Sequence, residues 1–155
     1  MGNNIRCNIA RALAVAGALG LVAGCAEMKS MMPGGESKSM HGENITLSGS
    51  NEVPPSGTSA SGSGNVAVGD DCSVTAKVNV TGMTGTAAHI HQGASGANGP
   101  VIVPFTKTAD NTFEAPSGAK MSSEQCAAYK AGNTYVNVHS AAKPGGEVRA
   151  QLRGR

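Results

Sequence analysis

Apolar and polar residues alternate most regularly between residues 72 and 81. Single polar residues there separate the apolar Cys72, Val74, Ala76, Val78 and Val80. Because successive side chains of a β-strand point to opposite faces, this period of two predicts a strand with one buried and one solvated face. Shorter runs predict further strands at 45–47, 65–68, 101–103, 134–140 and 147–152, and a weaker strand pair within 106–114.

Residues 122–132 form the one segment with the character of a helix. Ser122 and Gln125 have the spacing of a capping box, and Glu124 lies in the first turn, where the helix dipole favours a negative charge. Gly132 is placed to end the helix in a left-handed conformation. Many short strands joined by glycine- and proline-rich turns, with one short helix, predict an all-β antiparallel sandwich or barrel.

The N-terminus predicts an export signal. Arg6 and Arg11 supply the positive charge, and the apolar run that follows has 12 residues, 12–23, whereas a membrane-spanning helix needs about 20. This length and charge are typical of a cleaved signal peptide. The run ends in Leu-Val-Ala-Gly-Cys at 21–25, which resembles the lipobox of bacterial lipoproteins, where the cysteine is lipidated and becomes the first residue.

This resemblance divides the chain into a lipoprotein signal peptide at 1–24, a lipidated Cys25 with a flexible tether at 25–43, and a folded domain at 44–155. A lipid chain holds a protein at one leaflet without spanning the membrane. Ala26 rather than Asp follows the cysteine, so we expect the outer membrane, with the domain facing the periplasm. The alternative is an ordinary signal peptide with an incidental cysteine.

The tether has no helix or strand period but contains several thioether and imidazole side chains, at Met28, Met31, Met32, Met40 and His41. Such groups suit soft copper ions. A flexible linker that happens to contain methionine is the simpler interpretation, and we favour it.

Charge excludes one class of partner. The chain has 12 basic and 10 acidic residues, and removal of Arg6 and Arg11 with the signal peptide makes these numbers equal. Nucleic-acid binding needs clustered lysine and arginine, which this sequence lacks. We therefore expect a membrane contact through the lipid and an unidentified protein partner, but no nucleic acid.

Two of the four cysteines remain in the folded domain after export. Cys7 leaves with the signal peptide and Cys25 carries the lipid, so Cys72 and Cys126 are an even pair in an oxidising compartment. We predict a disulfide that ties the alternating strand to the helix. The alternative is two buried thiols.

Three histidines are candidate metal ligands. His89 and His91 are separated by one residue, so on a strand both imidazoles point to the same face and Ile90 points to the other. His139 lies on a second strand with similar patterning, near the end of 133–140. Neutral imidazoles suit copper or zinc. The alternative is that these histidines bond to loop backbone and support the glycine-rich turn at 92–99.

Several motifs together resemble the CHRD domain, a module named after chordin and found in bacterial secreted proteins. They are Leu-Ser-Gly-Ser-Asn-Glu-Val-Pro-Pro at 47–55, Ala-His-Ile-His-Gln-Gly at 88–93, Gly-Pro-Val at 99–101, Gly-Asn-Thr-Tyr-Val-Asn-Val-His-Ser at 132–140 and Pro-Gly-Gly-Glu-Val-Arg-Ala-Gln-Leu at 144–152. The resemblance implies an antiparallel Greek-key or immunoglobulin-like β-sandwich or barrel. It implies no established activity.

The His-x-His and Val-x-Val-His segments are also similar to the copper-ligand segments of the Cu/Zn superoxide dismutase family. That resemblance implies that His89, His91 and His139 are copper ligands on the outside of the barrel, and that Arg149 guides an anion to them. The bridging histidine and a set of zinc ligands of that family have no equivalents in this sequence.

Two functional classes follow. One is an envelope-anchored binding or structural module that uses the loops at 92–99 and 52–63, with a possible copper site on its surface. The other is a periplasmic copper-binding protein with superoxide-dismutase-like chemistry. We favour the first, without an enzymatic activity, because no hydrolase motif is present and no carboxylate adjoins the histidine pair in sequence.

Overall fold

The structure is a computed structural model that describes residues 39–154. This part of the chain contains nine β-strands, one α-helix and one 3-10 turn. The strands are β1 Met40–Ser48, β2 Ser61–Gly69, β3 Val74–Thr81, β4 Gly85–Gln92, β5 Val101–Pro104, β6 Thr106–Ala109, β7 Thr112–Glu114, β8 Thr134–Ser140 and β9 Val148–Gln151. The 3-10 turn is Gly49–Asn51, and the helix α1 is Ser123–Lys130.

The strands form one antiparallel sheet in the order β5-β4-β8-β9-β1-β2-β3-β7-β6. Its two ends curl toward each other. The Phe105 N–H donates to the Ala88 carbonyl at 2.9 Å, and Lys107 Nζ donates to the Gly85 carbonyl at 3.1 Å. The result is a nearly closed, barrel-like sheet, which confirms the predicted all-β antiparallel fold with one short helix.

The interior of this barrel is filled by aliphatic side chains from alternate strand positions. Strand β3 alternates strictly between buried and exposed residues, as its sequence predicts. Ile90, Val136 and Val138 are fully buried, and burying such a side chain contributes about 1.5–3 kcal/mol. Cys72 is an exception to the predicted strand: it lies in the preceding turn with a positive φ of 66°.

Strands β1 and β2 are longer than predicted. β2 begins at Ser61 rather than 65, because its glycines allow close contact with β3: a Cβ on Gly64 would overlap the carbonyl oxygen of Lys77. β1 begins at Met40, inside the predicted tether, because its backbone pairs with β2 as far as Gly69. The exposed side chains at 40–44 leave no hydrophobic pattern that could reveal this pairing.

Helix α1 confirms the predicted caps. The Gln125 N–H donates to Ser122 Oγ and the Gln125 side chain accepts from the Ser122 N–H, while Gly132 follows the helix with φ 73°. The predicted disulfide is also present, between Cys72 and Cys126. Within residues 39–154, α1 and every other helical segment are too short or too polar to cross a membrane.

Candidate metal centre

Strands β4 and β8 are neighbours, and their register brings the three histidines together. His139 lies opposite Ala87, Asn137 opposite His89, and Tyr135 opposite His91. All three histidines share one face of this strand pair, while Ile90 and Val138 face the core on the other. The parity predicted from the sequence is therefore correct.

The ring nitrogens of His89, His91 and His139 form a compact group. One ligand atom from each lies within 4.8 Å of the other two. The shortest separation, 3.0 Å, joins His89 Nδ1 to His139 Nε2. Two nitrogens that bind one tetrahedral ion at about 2.0–2.1 Å lie roughly 3.3 Å apart. Separations of up to 4.8 Å exceed this value, so the rings would have to move together to hold one ion.

Hydrogen bonds to backbone carbonyls determine which histidine ring nitrogens are available to bind a metal. His91 Nδ1 is 2.9 Å from the Gly99 oxygen, and His139 Nδ1 is 2.9 Å from the Pro144 oxygen. Since a carbonyl only accepts, each Nδ1 carries the proton and each neutral ring keeps a lone pair on Nε2. In metal sites, a hydrogen bond from the ring nitrogen that does not bind the metal typically orients the histidine. The predicted loop-supporting role and the predicted ligand role thus use different nitrogens of the same rings.

Burial favours the neutral form of two of these imidazoles. Burial, then the neighbouring His139 and His91, lower the pKa of His89 from 6.5 to about 4. Burial also lowers the pKa of His91, which is only 8% exposed. Among the three, His91 is buried, with Gly99 of the loop at 93–100 against its Nδ1, whereas His89 and His139 are half-buried. Neutral rings are the form that binds metals.

Arg149 holds this covering loop in place. Its side chain is 1% exposed, and its guanidinium lies 3.4 Å from the centre of the Tyr135 ring, which stacks on His91 at 4.9 Å with an interplanar angle of 7°. It donates to four acceptors, the carbonyls of Ala94 and Ala97 and the side chains of Asn98 and Gln151. The anion-guiding role of Arg149 stays a prediction.

Two further buried polar residues, Asn137 beside His91 and Glu52 beside Asn137, were missed by the sequence analysis. They are 2% and 6% exposed. Burial raises the pKa of Glu52, against the opposing effects of Arg149, the Val53 backbone N–H and the Asn137 amide. Asn137 and His139 are two residues apart on β8 and therefore share one face, so the sequence pattern could have placed Asn137 near the histidines. Glu52 comes from a distant loop, and no sequence pattern links it to β8.

Glu52 also borders two clefts. The larger, about 530 Å³, lies along β1 and β9 and is lined by polar groups that include Glu43, Asn51 and Gln151. The smaller, about 320 Å³, lies between the proline turn at 53–55 and the turn at 142–146. Neither cleft is lined by His89, His91 or His139.

Other candidate residues lie elsewhere. His41 is on β1, 3.9 Å from Asp70 and outside the three-histidine group. Met40 is exposed at the start of the same strand. Cys25 and the methionines at 28, 31 and 32 lie outside the described residues, and so does the predicted signal peptide.

The fold and site define a small all-β module with a partly buried group of three histidines on one strand pair. A sequence model of the CHRD domain matches residues 44–152, and the chain therefore belongs to the CHRD domain family. No curated protein and no solved structure matches the chain. Membership supports a binding or structural module. The similarity of the histidine strands to Cu/Zn superoxide dismutase stays a prediction.

Proposed function

We propose that this protein is an envelope-anchored CHRD module that binds a copper ion through His89, His91 and His139. The observation that supports this best is the convergence of three ring nitrogens within 4.8 Å. Imidazole nitrogen is a good ligand for copper and zinc, and copper binds a given nitrogen site more tightly than zinc does. The lipidated Cys25 would hold the module at the outer membrane, facing the periplasm.

Neutral ligands support binding at ordinary pH. Because the Gly99 and Pro144 carbonyls bind the Nδ1 atoms, both His91 and His139 keep a lone pair on Nε2. That of His91 has no partner, whereas that of His139 faces His89 Nδ1. His89 turns Nδ1 toward His139, so its lone pair becomes available when its proton moves to Nε2. Metal binding would then require only that the His89 proton moves from Nδ1 to Nε2, without refolding of the chain.

We propose binding rather than superoxide turnover. Turnover would benefit from a cation free to steer the anion toward the metal. The guanidinium of Arg149 is buried and engaged with the loop instead. The superoxide-dismutase-like function remains the alternative, and a superoxide assay of the copper-loaded protein tests it separately.

A copper titration of the purified protein, prepared without a histidine tag, tests the proposal. We expect one Cu(II) per chain, measured by competition with a chromophoric chelator. His139→Ala should weaken binding by at least about tenfold, since losing even an outer contact of a metal site costs 10–100-fold. His41→Ala is the matched control, because His41 is exposed near the start of β1 and lies outside the three-histidine group, and it should leave the affinity unchanged.

The double variant His89→Ala/His139→Ala decides the outcome. One-to-one binding that persists in this variant would show that the ion sits elsewhere, for instance among the methionines at 28–32. Failure of the unmodified protein to bind Cu(II) or Zn(II) would leave the histidines as loop supports. Circular dichroism of each variant separates loss of binding from loss of the fold.

A further inference from the structure

Asn137 lies on β8 within the face that carries the histidine group. It is directly opposite His89 in the register and two residues before His139, so its side chain shares their face. It is 2% exposed, and its Oδ1 has no hydrogen-bond partner. A buried amide oxygen left without a partner is unfavourable, and its position calls for a physical explanation.

A second unpartnered atom lies beside it. His91 Nε2 is buried and also lacks a hydrogen-bond partner, because the ring proton is on Nδ1 facing Gly99. The Asn137 side chain lies within hydrogen-bonding reach of the His91 ring. While Nε2 is unprotonated, Nε2 and Oδ1 both present lone pairs and cannot satisfy each other. A proton on Nε2 or a bound cation would satisfy both, and burial favours the uncharged ring.

Glu52 lies beside the NH₂ end of the Asn137 amide. A Cβ placed on Gly146 would lie 2.5 Å from Glu52 Oε1 and 2.7 Å from Asn137 Nδ2, so both atoms approach the same glycine, although Oε1 itself has no hydrogen-bond partner. A carboxylate only accepts hydrogen bonds when ionised, and it attracts the NH₂ end of the amide. The oxygen end is thereby turned away from Glu52, toward the histidines.

We propose that Asn137 Oδ1 is a fourth, oxygen ligand of the metal held by His89, His91 and His139, and that Glu52 is the positioning residue that orients it. This inference rests on the proposed metal binding. The site would then have three nitrogens and one oxygen from neutral groups. An oxygen ligand favours Cu(II) or Zn(II) over Cu(I), which prefers sulfur.

Electron paramagnetic resonance of the Cu(II)-loaded, tag-free protein tests the fourth ligand. Asn137→Ala should still bind Cu(II) with nitrogen coupling, but with a changed parallel hyperfine splitting and an affinity about tenfold lower. Asn137→Asp, which has the same shape and an anionic oxygen, should restore the splitting and tighten binding. Asn65→Ala, an exposed asparagine on β2, is the control and should change neither measurement.

Glu52→Gln tests the orienting role. The glutamine amide can donate to Asn137 and allow the asparagine to flip, so we expect a mixture of two copper spectra, one like that of Asn137→Ala. A carboxylate has two equivalent oxygens and cannot flip in this sense, so Glu52→Gln combined with Asn137→Asp should give one spectrum. A single unmodified spectrum for Glu52→Gln alone would exclude Glu52 as the orienting group.

The two proposals fail in different ways. If Asn137→Ala and Asn137→Asp both keep the unmodified affinity and spectrum, Asn137 is not a ligand, while the three-histidine site stands. If the unmodified protein binds no copper, the proposed function is wrong and the fourth ligand with it. If Asn137→Ala does not fold, Asn137→Asp alone decides, because an unchanged affinity there overturns the oxygen ligand.

Discussion

Arg149→Ala is the substitution with the largest expected effect on the covering loop. The guanidinium donates at 3.0–3.3 Å to Ala97, Gln151, Asn98 and Ala94. Hydrogen bonds from a charged group contribute about 1.5–3 kcal/mol each. A desolvated cation over an aromatic ring adds about 2 kcal/mol. These values are not additive, since the freed carbonyls of a surface loop regain water.

We therefore expect Arg149→Ala to lower the free energy of unfolding by about 2–4 kcal/mol, because the charged hydrogen bonds and the ring contact are lost while part of the freed acceptors regains water. This is a large part of the stability of an ordinary domain, about 5–15 kcal/mol. Urea unfolding followed by circular dichroism measures it, because the chain has no tryptophan for fluorescence. Arg149→Lys should fall between, since an ammonium cannot reach all four acceptors.

Arg153→Ala is the matched control. Arg153 is exposed, and its backbone N–H rather than its side chain donates to Glu43. Its loss should change the unfolding free energy by less than about 0.5 kcal/mol. Hydrogen exchange of the backbone at 93–99 should accelerate in Arg149→Ala alone. A loss below about 1 kcal/mol, with unchanged exchange, would refute the argument that Arg149 holds the loop.

Three further predictions concern cross-linking, anchoring and pH. Replacing Cys72 and Cys126 by serine opens a link across a sequence separation of 54, and should lower the unfolding free energy by about 4 kcal/mol on the chain-entropy estimate; urea unfolding with and without reductant checks this. Cys25→Ala should give an unprocessed or soluble protein, and a variant of mature mass still found in membrane fractions would contradict the lipid anchor. The folded-state pKa of His89, about 4, lies below its ordinary 6.5, so its neutral ring stabilises the fold fully above pH 6.5 and loses this effect as the pH falls toward 4. After allowance for partial exposure, the stability lost between pH 6.5 and 4 is on the order of 1–2 kcal/mol. His89→Gln should make the unfolding free energy depend less on pH across that interval, and an equal slope in both proteins would count against this role of His89.

The strands and helix that local sequence defines were predicted well. Strict alternation identified β3, and Ser122 and Gln125 identified the start of α1. The same reasoning failed at β2, because Gly62 and Gly64 have the composition of a loop while their small size permits close contact between strands. It also placed the start of the first strand at 45 rather than at Met40, since the pairing of Met40 uses backbone groups that every residue has.

The candidate site was predicted in its parity but not in its surroundings. Strand alternation is enough to place His89 and His91 on one face. The burial of His91 depends on a loop that folds back over it. That loop is held by Arg149, which lies 58 positions after His91 in the sequence. The contact between Glu52 and Asn137 likewise joins distant segments. Such contacts arise from the closed sheet, and local periodicity contains no information about them.

The two interpretations of the histidines, as loop supports and as metal ligands, are physically linked. The bond from His91 Nδ1 to the Gly99 carbonyl supports the loop, and it also leaves Nε2 as the lone-pair atom that a metal needs. The same holds for His139 and Pro144. Without a bound ion, Nε2 of His91 and Oδ1 of Asn137 stay buried without partners. These unpartnered atoms add a second observation to the convergence of the three rings, and together they support the proposed metal site.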